Sequence, residues 1–436
     1  MKSRTLSATW IVLFYCSGLL QAQTVDGENV VSDAPQPDRS GSFTDDIVGR
    51  DTLTDNWFGF GDKLVQRGIW VGLGTTNVYQ VNTHGGISTH DREDRFTGSY
   101  DLEVEFDLET LLNLPDAILY AYAVGNYNDG IDPESIGSAV GNVNADAAGD
   151  QAIMLAELYY QQALLDGRLM IKIGKMDLAG GYECKDCPGS FDGNSYANDE
   201  ATQFLNAALV NNPTIPFPDY ALGVMAHYEF LDSLYVSAAV GDAQADGRET
   251  GFNTAFHDED YFFSIFEFGY TPRIACPRGG LQGAYRVGVW YDPQDKTRFT
   301  AGTTKRDDVG FYFSADQKIY NENADRDGQG MGVFARFGWA DDDINAVSLF
   351  WSAGLQYQGL VPQRDDDVLA FGVASGKLTQ AAGFTDAWET VYELYYSLQL
   401  TGWLQITPSV QYIQDPGAAD AAKDALVAGL RLHLTF

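Results

Sequence analysis

The sequence is poor in cations: 27 Lys and Arg stand against 61 Asp and Glu, for a net charge of -34. A nucleic-acid partner is excluded on that ground, because phosphate binding needs a basic surface. Five histidines leave little material for a metal enzyme. No GxSxG elbow is present, and GFGDK at 59–63 lacks the full phosphate-loop spacing. No nucleophile, base and orienter are brought together, so neither an enzyme nor a cofactor is expected. Cysteine is scarce as well. Cys184 and Cys187 in YECKDCPG have no second CxxC to complete a metal site, and in an oxidising compartment they read as a loop disulfide, with Cys276 left single. NADRDG at 323–328 opens like a calcium loop, but the twelfth position is Phe334 where a bidentate Glu is needed, so an acidic turn is expected. Beyond residue 22 no apolar run approaches the roughly 18 residues of a transmembrane helix. Strands that expose apolar residues on alternate positions escape that test.

What is present begins with a leader. Lys2 and Arg4 precede TWIVLFYCSGLL, followed by a small residue at Ala22: a secretory signal peptide over 1–22, cleaved after Ala22. Cys16 follows the bulky Tyr15, which argues against a lipoprotein cysteine. Residues 23–64 read as a polar lead-in ending in a short helix, in which Trp57, Phe60 and Leu64 bury one side before Gly68. With 45% hydrophobic residues and 14 prolines, the remainder from 65 to 436 should fold as one large unit.

From GIWVGLG onward the period is two. In YDLEVEFDLE, Tyr100, Leu102, Val104, Phe106 and Leu108 alternate with Asp101, Glu103, Glu105, Asp107 and Glu109, which predicts a strand with one apolar and one acidic face. Further strands are expected near 69–81, 117–126, 152–163, 168–177, 221–230, 234–241, 260–270 and 281–291, and then near 309–318, 330–340, 345–358, 367–376, 389–400, 403–413 and 424–436. In ELYYQQALLDGRLMIKIGK, Asp166-Gly167 supplies a two-residue turn. It pairs Gln161 with Lys172 and Tyr159 with Gly174, and sets Glu157, Tyr159, Gln161 and Lys172 on one polar face. Leu430, Leu432, Leu434 and Phe436 alternate with Arg431 and His433 at the end of the sequence. A closed barrel, which leaves no open edge, and a β-sandwich both remain compatible with this pattern.

NWFGFGDKLVQRGIWVGL resembles the opening motif of OprB-type carbohydrate-selective porins through Trp57, Gly59, Leu64, Gly68 and Ile69, with Gly61 near the place where an Arg is usual. The hairpin with Gly174, Lys175 and Asp177 is similar to the family's, as are TQFLNAALVNNPTIPFPDYALGV, HDEDYFFSIFEFGY, GMGVFARFGWADDDIN and GLVPQRDDDVLAFGVA. The order of these blocks over nearly the whole mature chain carries the resemblance. It implies a transmembrane antiparallel β-barrel of about sixteen strands, usually trimeric, in the bacterial outer membrane, through which monosaccharides and other small polar solutes diffuse.

Under that reading the carboxylates of 101–109 look into a wet pore, and the residues between them meet lipid or a neighbouring subunit. Parity nominates Glu103, Glu105, Glu157, Tyr159, Gln161 and Lys172 as solute-contacting pore lining; Arg364, beside Asp365, Asp366 and Asp367, joins them from a family block or marks a strand end. Sugars are held by aromatic faces and charge-assisted hydrogen bonds, weakly enough to leave. The terminal aromatic strand would be read by outer-membrane assembly machinery, and acidic loops would meet lipopolysaccharide through divalent ions. The alternatives are a general cation-preferring porin, a secreted β-sandwich lectin and an outer-membrane barrel enzyme; an energy-coupled transporter lacks room for its plug.

Overall fold

The computed structural model describes residues 47–436 except 92, 148, 182–190, 199–202, 257–259, 324–327, 386–387 and 419–421. The leader, the Cys184 and Cys187 pair and most of the acidic turn at 323–328 lie outside the described residues.

The period of two becomes sixteen antiparallel strands closed into a barrel. They are β1 Ile69–Gly86, β2 Asp94–Asp107, β3 Ala117–Tyr127, β4 Gln151–Leu164, β5 Leu169–Met176, β6 Ala221–Leu231, β7 Leu234–Asp242 and β8 Phe262–Tyr270. Then come β9 Gly279–Asp292, β10 Asp308–Asn321, β11 Gly330–Trp339, β12 Val347–Gln358, β13 Val368–Leu378, β14 Trp388–Thr401, β15 Leu404–Gln414 and β16 Lys423–Thr435. Each strand expected from alternation is found within a few residues of its expected place. Neighbours in sequence are neighbours in the wall, and β16 pairs with β1 from Gly74↔Thr435 to Gly86↔Lys423. The Phe436 amide completes the seam by donating to the Leu73 carbonyl at 2.9 Å. Closure satisfies the edge groups that would otherwise template aggregation. Two small ribbons extend the wall: Arg273–Cys276 pairs with the start of β9, and Lys296–Thr297 with Thr304–Lys305.

Burial distinguishes the two faces. On β8, Ile265 and Glu267 are 2% and 0% exposed, while Phe266 and Phe268 between and after them are 47% and 38% exposed. The charged Glu267 therefore points in and Phe266 and Phe268 point out, the arrangement a bilayer demands, because only there is an exposed apolar band stable. At the rim where β2 begins, Tyr79 donates its hydroxyl to Asp94 at 2.8 Å, and Tyr291 and Tyr412 do the same to Asp307 and Asp424. Each ring keeps an apolar body in the band and a polar tip at its edge. An even number of strands brings the start of β1 and the end of β16 to the same rim. That rim carries short turns such as 232–233 and 402–403, whereas the opposite rim carries the long connections 128–150, 177–220 and 243–261.

Three local expectations are corrected. The β2 alternation stops at Asp107, whose carboxylate turns back to accept from the Glu109 amide at 2.9 Å and caps the helical turn Leu108–Leu112. A capped turn has no period of two, so Leu108 is buried and Glu109 is exposed at the rim, instead of facing lipid and lumen. The lead-in helix is split into Asp55–Phe58 and Phe60–Val65 by Gly59, with φ 72°. Trp57 and Leu64 are half-buried, but the kink leaves Phe60 57% exposed. The hairpin after β4 keeps the expected register, Gln161↔Lys172 and Tyr159↔Gly174. It turns, however, through Leu165, Asp166 and Gly167, all left-handed, so the connection is longer than two residues.

Candidate functional site: the inward segments of the lumen

The long connections 128–150 and 177–220 do not stay on the rim. Both carry apolar residues that a loop in water would expose: Ile131, Ile136, Val140 and Val143 in the first, and Phe191, Phe204, Leu205, Leu209 and Ile215 in the second. They bury these side chains against inward residues of the wall. One core joins Val140, Val143, Phe204 and Leu209 to Phe334, Ala374, Val391 and Val427; another joins Phe191 and Ile215 to Tyr159, Met225 and Tyr312. The lumen is thus partly filled by the chain itself.

Wall side chains hold these segments by their backbone. The Val143 carbonyl accepts from Gln80 Nε2 on β1 and from Gln411 Nε2 on β15, both at 2.8 Å. Glu393 on β14 accepts the Leu205 and Asn206 amides at 2.8 and 2.9 Å. Arg336 on β11 donates to the carbonyls of Leu209 and Asp192, both at 2.8 Å, and Arg431 on β16 donates to Gln203 at 2.9 Å. Glu389 accepts the amides of Ala139, Val140 and Gly417. A carboxylate gathering amides, or a guanidinium gathering carbonyls, replaces the water that the buried charge has lost.

The two segments also meet each other. Ala145 donates to the Leu205 carbonyl at 2.7 Å and Ala207 to the Asn142 carbonyl at 2.8 Å. Asn206 caps the helical turn Ala207–Val210 by accepting from the Ala208 amide. Gly141 allows the approach, since a Cβ there would lie 2.3 Å from the Ala208 nitrogen.

Charges within the segments are perturbed. Asp132 accepts the Ser138 and Val143 amides at 2.8 and 2.9 Å, yet burial, reinforced by the charge of Glu389, pushes its pKa up to about 7. Burial also raises Asp192, against the lowering pull of Arg336 and the Asn212 amide. On the wall nearby, Arg286 and Asp316 form a buried ion pair at 2.8 Å, and Glu267 accepts the hydroxyls of Tyr235 and Tyr312 at 2.8 and 2.7 Å.

Six of the residues nominated by parity stand together on the inward face of β2, β4 and β5. Glu103 accepts the Tyr120 hydroxyl at 2.9 Å, and Glu105 is buried on the same face. Tyr159 stacks on Tyr120 with ring centroids 5.0 Å apart, and the Lys172 ammonium lies 3.9 Å from its ring centre. Lys172 also donates to the Gly181 carbonyl at 3.0 Å; Glu157 accepts the Asp177 amide at 3.1 Å, and Gln161 is 3% exposed. Arg364 lies apart. It occupies the short-turn rim between β12 and β13, where it forks onto Asp367 at 2.6 and 2.8 Å, and Asp367 also accepts from the Tyr396 hydroxyl.

Gln80, Arg336, Glu389, Glu393 and Arg431 were missed, although each stands at inward parity in a correctly expected strand. The available signal was in the connections: a capped NAALV at 206–210 and the apolar residues of 131–143 have no home on a wet rim.

Comparison with known proteins agrees with this geometry. The model of the family described as carbohydrate-selective porin, OprB family, matches residues 91–436. Porin B of Pseudomonas aeruginosa is 24% identical over 435 residues, which cover 88% of this chain and 91% of that protein. A putative porin, QuiX, of Acinetobacter baylyi is 22% identical over 426 residues, 89% and 93% of the two chains. The high-pH structure of Pseudomonas putida OprB superposes with a TM-score of 0.78 at 22% identity, covering 89% of this chain and 99% of the other, a likeness of fold.

Proposed function

The chain belongs to the OprB family of carbohydrate-selective porins, and from that premise we propose how sugars pass it: by passive diffusion through a water-filled lumen that the two inward segments narrow. It is a sugar-preferring channel of the outer membrane. Monosaccharides and other small polar solutes are the assigned cargo. They enter at the rim with the long connections, which faces outward, and leave at the short-turn rim, which faces the periplasm.

The observation that supports this most directly is the meeting of 141–145 with 205–208 inside the barrel. A sixteen-stranded wall by itself encloses an aqueous channel, and chain packed inside it narrows the passage. Along the wall, Glu157 keeps part of its surface open and is assigned to contact the solute, while Glu103, Glu105, Tyr159, Gln161 and Lys172, all buried, are assigned to supporting the lining. Arg364 is assigned to clamping its turn. The functional unit is a homotrimer. Residues 1–22 are removed on export, the Phe436 strand is read by outer-membrane assembly machinery, and the acidic outer connections meet lipopolysaccharide through divalent ions.

A cation-preferring general porin is the competing reading, favoured by the net charge of -34. Glu389 and Glu393 weigh against it, because amides surround their carboxylates. Planar-bilayer recording separates the two: the sugar reading expects block by a monosaccharide series with modest reversal potentials in a salt gradient. Strong cation preference without sugar block would replace it, and purified folded protein that forms no channel would remove both.

A further inference from the structure

We infer that Arg336 and Glu393 are positioning residues that set the solute size limit of this pore, by holding the 203–212 segment inside the lumen against the wall from β11 to β14. The inference rests on the porin reading. Arg336 and Glu393 belong to β11 and β14, with β12 and β13 between them, and both are buried, at 2% and 0% exposure. They grip opposite ends of one helical turn, Ala207–Val210. Glu393 takes the two amides at its start, those of Leu205 and Asn206, and Arg336 takes the Leu209 carbonyl near its end. The second arm of Arg336 reaches the Asp192 carbonyl, so a single guanidinium holds the connection 177–220 at two places.

These four contacts all go to backbone. They constrain where the chain runs, and the Arg336 guanidinium in addition faces the Asp192 carboxylate, 3.6 Å from its Nε. The turn they hold is also the dock for the other inward segment, through the pairs Ala207–Asn142 and Ala145–Leu205. Displacing it therefore moves both inward segments. Neither charge needs to touch the solute. The opposite signs match the polarity of the turn, since the acid meets its amide-rich start and the base its carbonyl-rich end.

The test uses the full-length protein in planar bilayers and in liposomes challenged with mono-, di- and trisaccharides. Barrel integrity is checked by heat-modifiable migration and far-ultraviolet circular dichroism. Glu393→Gln and Arg336→Met are each expected to raise single-channel conductance two-fold or more and to admit trisaccharides that the parent excludes. Arg336→Lys, which keeps the charge but cannot fork, should fall between. Gly141→Val, which touches neither anchor, should loosen the same docked pair of segments and raise conductance likewise, because its side chain collides with Ala208. Folded variants with parental conductance and size limit would overturn the inference, as would failure of all three charge variants to form barrels, since the charges would then be needed by the wall. A parent that conducts without discriminating among sugars would instead overturn the porin reading on which the inference depends.

Discussion

Asp132→Asn isolates one charge in the inward segment. The carboxyl group accepts the amides of Ser138 and Val143, and the charged group facing it from the wall is Glu389, which grips the adjoining Ala139 and Val140 amides. Burial and that neighbour raise the Asp132 pKa from 3.8 to about 7. A raised acid binds its proton more tightly when folded, so its contribution is fully present below pH 3.8 and is lost as the pH rises through about 7. The difference between the two values corresponds to roughly 4 kcal/mol. The docking of 128–150 should accordingly loosen between about pH 5 and 8. The assay is the pH dependence of open-channel noise and of protease cleavage at 128–150 in lipid-embedded protein. Asn is neutral at every pH and retains an acceptor, so the variant should show a flat profile near the parent's acidic level. Equal pH dependence in parent and variant would refute the assignment, and tightening with rising pH would reverse its sign.

Other consequences are equally direct. Asp107→Ala removes the cap on Leu108–Leu112 and should cost about 1 kcal/mol, read as a lower denaturant midpoint for refolding into vesicles, with conductance unchanged. Val289→Arg places a cation on the outward face of β9, where the valine is 44% exposed; at mid-membrane depth the cost is roughly 2–4 kcal/mol, measured by the same equilibrium. Arg286→Met strands Asp316 without its partner at 2.8 Å and should lose about 3–5 kcal/mol, whereas pairing it with Asp316→Leu should recover much of that; a double-mutant cycle in vesicles tests it.

Alternation made the wall legible because a period of two has only two faces, and the bilayer side admits only one kind of residue. That is why the strand positions and the register of the Gln161–Lys172 hairpin could be read from the residues, while the closing role of the Phe436 strand came with the family resemblance. The ends of strands were less legible. Asp107 continues the alternation in one dimension, but its carboxylate is drawn to the Glu109 amide, a local competition that periodicity does not register. The expectation of an acidic face bathed in water was too simple for another reason. Inward parity identified which residues leave the lipid, not what they meet.

The sequence alone therefore determined the wall: its strands, its two faces, its closure and the family to which it belongs. The strands and their faces follow from neighbours along the chain, whereas closure and family were implied by the order of the blocks that resembles the OprB porins, since alternation alone also fits a sandwich. The tertiary structure decided the contents of the lumen. Arg336 meets Leu209 across 127 positions and Glu393 meets Leu205 across 188, and no local pattern encodes such distances. Those contacts arise because apolar connections had to be buried somewhere, and the charges already pointing inward had lost their water and could take backbone groups in its place.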